Sequence, residues 1–427
     1  MRRFGTVVAA LTAATAAQTV QQDPGVIRDP GTYGPQVEVV HLYYDQWPTG
    51  IAVSRSGRMF SNYPPALDPM NQAYTVAELF ANNTEQPYPN LAINTPPGGR
   101  INNSVYPPTG AGDANHFVGV QSVVIDPADR LWVLDTGRVA TQNGTQLTAA
   151  YGGPKLVGID LNTNSVFRTI VFSPTAAPAD SYLNDIRFDL NPSLTSSGQG
   201  VAYITDSSSE GRNAIVVVDL GSGEAWRRLI NIPAVQADEG FVPTVWGQPV
   251  YMNGTTGMPI LNVNFGADGI ALSVDGTTLF FKTTGGRYTY SVPTARLRDR
   301  SLNAELLARG SVGNLGETGL SDGLETDTNN MIYGGNIEDN SIMMFNPSTG
   351  IMSTFVRDPR FSWTDTLSVG FDGYIYFTEN QLWLGSNFQG GVDRRQKPYV
   401  LFRARLPNGG TKVTQSAPGA SNATMSM

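Results

Sequence analysis

The sequence predicts an all-β protein: a six-bladed β-propeller whose four-stranded blades surround a central channel. Three observations lead there. Past residue 36 the apolar runs are short, β-branched or aromatic, and clusters of Gly, Asn, Asp and Pro separate them, which is the punctuation of strands and turns. One hairpin pattern recurs six times. A second hairpin of similar grammar follows most copies, so each unit offers about four strands, and four-stranded units repeated radially protect their own sheet edges. With 46 Gly and 28 Pro among 427 residues, long helices have little room. The one stretch with helical spacing is Thr75–Asn82.

The copies run in order along the chain. The first pairs Thr49–Val53 with Ser56–Phe60, and the second pairs Gln121–Ile125 with Asp129–Asp135. The third pairs Asn184–Phe188 with Val201–Asp206. The fourth, Asp268–Leu272, turns at Asp275-Gly276 into Leu279–Phe281. The fifth, Asp322–Glu325, turns at Asn329-Asn330 into Met331–Tyr333. The sixth, Asp365–Val369, turns at Asp372-Gly373 into Tyr374–Phe377. Second hairpins include Leu156–Asp160 with Ser165–Val171, Ala214–Asp219 with Ala225–Ile230, and Ser341–Phe345 with Gly350–Phe355. Spacing is uneven, so long loops interrupt the blades at Asn62–Phe117 and Asn231–Gly266. A two-sheet sandwich would not need six copies of one hairpin.

Composition removes several functions. With no Cys there is no disulfide framework, thiol nucleophile, Cys-ligated zinc or iron–sulfur cluster. Only His41 and His116 could supply the imidazole of a Ser–His–Asp triad. A net charge of −8 argues against nucleic acid as a partner. No dinucleotide fingerprint or P-loop is present; Gly98-Gly99 lacks the strand–loop–helix setting.

Residues 1–17 read as a signal peptide, with basic Arg2-Arg3, an apolar Phe4–Leu11 and a cut site at Ala14-Thr15-Ala16. No later run reaches membrane-spanning length. Secretion is therefore expected, and the sequons at Asn82, Asn102, Asn143, Asn253 and Asn422 fit a glycoprotein. Residues 18–414 form the propeller and 415–427 a loose Ser/Ala/Asn-rich tail. A propeller needs no partner for stability, so a monomer is expected.

Phe117–Ser122, running into Asp129-Arg130-Leu131-Trp132-Val133-Leu134-Asp135-Thr136-Gly137, resembles the major royal jelly protein/Yellow family. So do Ala202–Asp206 with Ile215–Asp219 and Trp226-Arg227, Asp268–Ser273 with Tyr288–Thr294 and Leu297-Arg298, and the Asp372–Asn380 strand. The resemblance covers about residues 38 to 406 and implies a secreted six-bladed propeller. Its animal members include pigment-pathway proteins credited with dopachrome conversion, and nutritive and ligand-binding proteins. Fungal members of this type occur in secondary-metabolite pathways, and some are hetero-Diels–Alderases joining a tropolone-derived quinone methide to a terpene alkene. The absence of Cys departs from many animal members and weakens direct transfer from the insect enzymes.

The first strand of each propeller blade lines the channel, so the residues that open these strands meet around one axis. Here they are Thr49, Gln121 or Ser122, Asn184 with Asp185, Asp268, Asp322 and Asp365. An oxygen-rich ring suits a calcium ion, and Asn184 and Asp322 resemble metal-binding positions of the gluconolactonase/senescence-marker propellers. That family's pattern needs a Glu in the first blade, where this chain has Pro48-Thr49-Gly50; Asp and Asn also open strands by capping local turns. Without a metal, clustered carboxylates cannot all ionise in a partly dry channel, which makes Asp185, Asp268 and Asp322 candidate acids or bases. Arg138, after Asp135-Thr136-Gly137, is a candidate clamp for a carbonyl or anionic group. Trp363, Trp246, His116, Gln121 and Asp365 are candidate substrate contacts. His41 and Trp132 read as core.

Three functions remain open. A redox-free cyclase, isomerase or tautomerase needs only shape, apolar walls and one or two hydrogen bonds, and requires no cofactor. A calcium-dependent lactonase-like hydrolase needs the metal. A secreted binding protein needs no chemistry. In each case the partner is a small molecule.

Overall fold

A computed structural model describes residues 29–252 and 259–416. The residues from Thr32 onward form six four-stranded antiparallel sheets and two two-stranded hairpins, Ile101–Asn102 with Thr109–Gly110 and Thr244–Val245 with Gln248–Pro249. The innermost strands are Gly50–Val53, Val120–Ile125, Leu183–Asp189, Ala267–Leu272, Leu324–Thr326 and Thr364–Val369, in blades 1 to 6. Each of the six repeated hairpins thus supplies the two inner strands of one blade. The inner strands are buried over almost their whole length, which is why they read as apolar runs.

The sixth blade is closed by a distant piece of chain. Its sheet runs Thr364–Val369, Tyr374–Glu379, Tyr399–Arg405, and then Val37–Tyr43 from the other end of the sequence. Val37 faces Ala404 and Tyr43 faces Tyr399. His41, on this closing strand, is buried, and its Nε2 lies 3.3 Å from Glu85 Oε1 of blade 1. The ring is thereby pinned across its seam.

Two expectations need correction. Thr75–Asn82 is no helix: Val76–Phe80 is the third strand of blade 1, pairing Met59 with Leu79 on one side and Ala77 with Pro87 on the other. Pairing on both edges outweighs local helical spacing. Asn62–Phe117 is accordingly only partly loop, since it carries the outer half of blade 1. The described α-helices are Leu91–Asn94, Thr294–Arg298 and Ala304–Arg309, beside seven short 3-10 turns, and none is long enough to cross a membrane. The residues of the expected signal peptide, Asn253, Asn422 and the tail beyond residue 416 lie outside the described residues. Asn82 and Asn143 are exposed, and Asn102 is half-buried.

A carboxylate at the end of the second strand ties the start of the inner strand in three blades. Asp135 accepts the backbone N–H groups of Val118 and Gly119, Asp206 that of Tyr182, and Glu379 those of Ser362 and Trp363. Lys155 neutralises Asp135 at 2.8 Å and Arg227 neutralises Asp206 at 2.8 Å. Breaking such a buried pair leaves an uncompensated charge. Lys155→Ala is therefore expected to destabilise the fold by about 3–5 kcal/mol in denaturant titration. Asp135→Asn combined with Lys155→Met should recover most of that loss.

Candidate functional site

Four inner strands carry a register shift at their opening: between Val120 and Ser122, Leu183 and Ile186, Ala267 and Ile270, and Thr364 and Leu367. A bulge re-aims the extra side chain, and here the residues set free are Gln121, Asn184, Asp268 and Asp365. In blade 5, Asp322-Gly323 precedes the strand directly. Two glycines then let the blades close on one another. A Cβ on Gly269 would lie 2.5 Å from the carbonyl of Asp322, and one on Gly323 would lie 2.6 Å from the carbonyl of Asp365. The Gly323 N–H donates to that carbonyl at 2.8 Å. This brings the backbones of Asp268, Asp322 and Asp365 side by side.

The three carboxylates floor a cleft of about 600 Å³, part of it open to solvent. Gln121, Tyr182, Asn184 and Ser207 complete its polar side, while Leu67, Phe265, Leu382 and Phe388 form an apolar wall. A polarised chain of hydrogen bonds crosses the polar side. The Tyr182 hydroxyl donates to Gln121 Oε1 at 2.7 Å, Gln121 Nε2 to Asn184 Oδ1 at 3.2 Å, and Asn184 Nδ2 to Asp268 Oδ2 at 2.7 Å. Asp322 accepts from Trp363 Nε1 at 2.7 Å and Thr284 Oγ1 at 3.3 Å. Asp365 accepts from Asn380 Nδ2 at 2.6 Å.

Among the described residues no Lys, Arg or His is paired with any of the three. Burial, then the neighbouring carboxylates, holds Asp268 and Asp365 well above the usual carboxylate range. Burial raises Asp322 to about 6, against the pull of the Trp363, Thr284 and Asp268 hydrogen bonds. Three buried carboxylates without a cation thus hold their protons to higher pH than free aspartates do, and the row offers a hydrogen-bond donor and an acceptor side by side.

Several sequence candidates lie elsewhere. Asp185 does not line the cleft: Arg187 pairs with it at 3.1 Å and the Ser122 hydroxyl donates to it at 3.3 Å. Arg138 is buried, with Nε on the Leu147 carbonyl, Nη1 on the Asp180 carbonyl and Nη2 on Glu210 at 2.7 Å. It does not line the cleft. His116 pairs with Asp113 at 2.8 Å in a surface loop. Trp246 sits half exposed in the turn between its two short strands, edge-on to Trp383. Trp363 is buried behind Asp322 and does not line the cleft. Gln121, Asn184, Asp268, Asp322 and Asp365 are brought together. Tyr182, Thr284, Glu379, Asn380, Phe265 and Phe388 were missed, although Glu379-Asn380 stands at the same polar strand end as Asp135-Thr136 and Asp206-Ser207.

The donor set does not fit calcium. Thr49, in place of the expected Glu, has its hydroxyl taken by Asn62 Nδ2 at 2.8 Å. Asn184 turns its Nδ2 toward Asp268, and Gln121 Oε1 is occupied by Tyr182. Among the described residues no three acidic or His side chains are placed to hold a metal ion.

The carboxylates also set a pH dependence for stability. Their folded pKa values are raised, so their contribution is fully present below the unfolded value near 4 and is lost as pH rises, through about 6 for Asp322 and higher for Asp268 and Asp365. Moving one carboxyl from 3.8 to about 6 corresponds to ~3 kcal/mol. Melting temperature is expected to fall between pH 5 and pH 8, and Asp268→Asn should flatten that slope in calorimetric scans across the range.

Residues 118–405 match the major royal jelly protein family. The Yellow-related salivary protein M10 of Phlebotomus duboscqi is 27% identical over 203 residues, covering 46% of this chain and 44% of that protein. Major royal jelly protein 7 of Apis mellifera is 28% identical over 182 residues, covering 43% and 36%. The matches thus span less than half of each relative. A luciferin-regenerating enzyme shares the fold at a TM-score of 0.50 and 10% identity, covering 88% of this chain and 97% of that one. With its six four-stranded blades and a family match over more than half its length, this chain belongs to the major royal jelly protein family.

Proposed function

We propose that the protein is a secreted, redox-free enzyme that acts on a small molecule in the channel cleft. The observation that carries this reading is the row of three buried carboxylates with no cation partner, set against an apolar wall. Such a row gives and takes protons near neutral pH. Among the described residues no Lys or Arg lines the cleft, which favours an uncharged substrate, aromatic or polyketide-derived, with an oxygen acceptor directed at the floor. The salivary and royal jelly names of the relatives support secretion.

The specific reaction we favour is a hetero-Diels–Alder joining of a tropolone-derived quinone methide to a terpene alkene. One protonated carboxyl gives its proton to the departing hydroxyl of a hydroxymethyl precursor while an ionised neighbour takes the ring hydroxyl proton, releasing water and the quinone methide. The methide's oxygen and terminal carbon then form C–O and C–C bonds to the alkene carbons. Three π bonds become one and no electrons leave the pair of substrates. A carboxyl donor on the heterodiene oxygen assists the cycloaddition, and Leu382, Phe265 and Phe388 hold the alkene and exclude water. The same acid–base pair would serve a dopachrome-type tautomerisation. The lactonase alternative lacks support, because the donor set does not fit its metal.

Comparing metabolites of the source organism with those of a strain lacking the gene tests the proposal. The expected result is loss of one cyclised product and accumulation of its uncyclised precursor or hydrated shunt product. An unchanged profile overturns it in favour of a binding protein. With a substrate in hand, Asp322→Asn should lower kcat by about 10²–10⁴-fold with little change in KM.

A further inference from the structure

Trp363 holds an unusual backbone conformation. Its φ is +137°, whereas the other non-glycine residues with positive φ among the described residues lie between 50° and 63°. A side chain this large persists there only when its surroundings over-determine it. They do so. Glu379 Oε2 accepts the Ser362 N–H at 2.7 Å and the Trp363 N–H at 3.0 Å, and the Thr364 hydroxyl donates to the other oxygen. The Asn380 N–H closes onto the Trp363 carbonyl at 3.2 Å. The indole packs beside Phe388, and its N–H crosses from blade 6 to blade 5 to reach Asp322.

We propose that Trp363, aimed by the Glu379 anchor, is a positioning residue that makes Asp322 the proton acceptor of the carboxylate row. This rests on the acid–base reading of the cleft and assigns roles within it. Asp322 faces Asp268 from blade 4 and Asp365 from blade 6, feels Asp185 from blade 3, and has the Thr284 hydroxyl as its other neutral donor. The indole N–H is the shorter of the two neutral donors, at 2.7 Å against 3.3 Å. A hydrogen bond to the charged form favours that form. Asp365 accepts bonds of similar length from Asn380 at 2.6 Å and Thr366 at 3.2 Å, and Asp268 accepts from Asn184 at 2.7 Å. These amides and hydroxyls can also turn an acceptor to a protonated carboxyl, whereas an indole N–H can only donate. Asp268 and Asp365 then keep the protons and act as donors on either side. The same corner serves both neighbours, since Asn380, next to Glu379, donates to Asp365.

Glu379 suits this work because it is uncompensated. Asp135 and Asp206, at the same place in their blades, have Lys155 and Arg227; among the described residues Glu379 has no cation partner. It therefore anchors two N–H groups without adding a cation beside the cleft. Burial, offset by these hydrogen bonds, raises it to about 8.

The test is a carboxyl titration by NMR on the ligand-free protein with 13C-labelled aspartate. Trp363→Phe keeps the ring and removes the donor, so the Asp322 midpoint should rise, with proton affinity increasing about tenfold. Glu379→Ala should produce the same shift by releasing the indole. Glu379→Gln, which retains an oxygen for the two N–H groups, should restore the wild-type midpoint. An unmoved Asp322 midpoint in folded Trp363→Phe or Glu379→Ala overturns the inference. Because no substrate is needed, a shift seen in a protein that turns nothing over leaves this assignment standing and overturns the enzymatic reading instead.

Discussion

The cleft depends on how closely the inner strands of blades 4, 5 and 6 approach at their openings. Gly269 lies against the Asp322 carbonyl and Gly323 against the Asp365 carbonyl, distances that leave no space for a side chain. Three aspartates carried at the same place on consecutive blades must then share one small volume. Their mutual repulsion and their burial follow from this backbone contact, and so does their retention of protons. The Asp-Gly pairs at 268–269 and 322–323 are thus one device: the Asp supplies chemistry and the Gly supplies proximity.

The rest of the molecule treats buried charge differently. Asp135 with Lys155 and Asp206 with Arg227 are paired, hydrogen-bonded tethers. Arg138 is spent on Glu210 and two carbonyls. Arg187 answers Asp185 and stretches past blade 4 to the Leu324 carbonyl of blade 5. Cations answer Asp135, Asp206, Asp185 and Glu210, whereas among the described residues none is placed beside Asp268, Asp322, Asp365 or Glu379. Uncompensated carboxylates in a cleft mark where stability has been given up, which is the usual sign of a site.

Local features were legible in the sequence, and long-range partners were not. The repeated hairpins could be read because strand alternation and Asp-Gly or Asn-Asn turns are local signals. The Asp, Asn and Gln at the strand openings pointed to the axis for the same reason. The pairing of Val37–Tyr43 with Tyr399–Arg405 had no local signal, and neither did Arg138 with Glu210, 72 positions away. Thr75–Asn82 misled because its spacing is helical while both its neighbours are strands. Choosing between Asn184 and Asp185 required the bulge, whose position depends on the pairing with the next strand. Glu379 and Asn380 could have been found by aligning the polar ends of the second strands, since Asp135 and Asp206 hold the same place.

Everything proposed for the cleft requires it to keep protonated carboxyl groups at neutral pH. Infrared difference spectroscopy of the ligand-free protein tests it most directly, by comparing wild type with Asp268→Asn and Asp365→Asn at pH 7. The expected result is a protonated-carboxyl C=O band in the wild type that each substitution diminishes. Wild-type spectra showing only ionised carboxylate at these positions would contradict it.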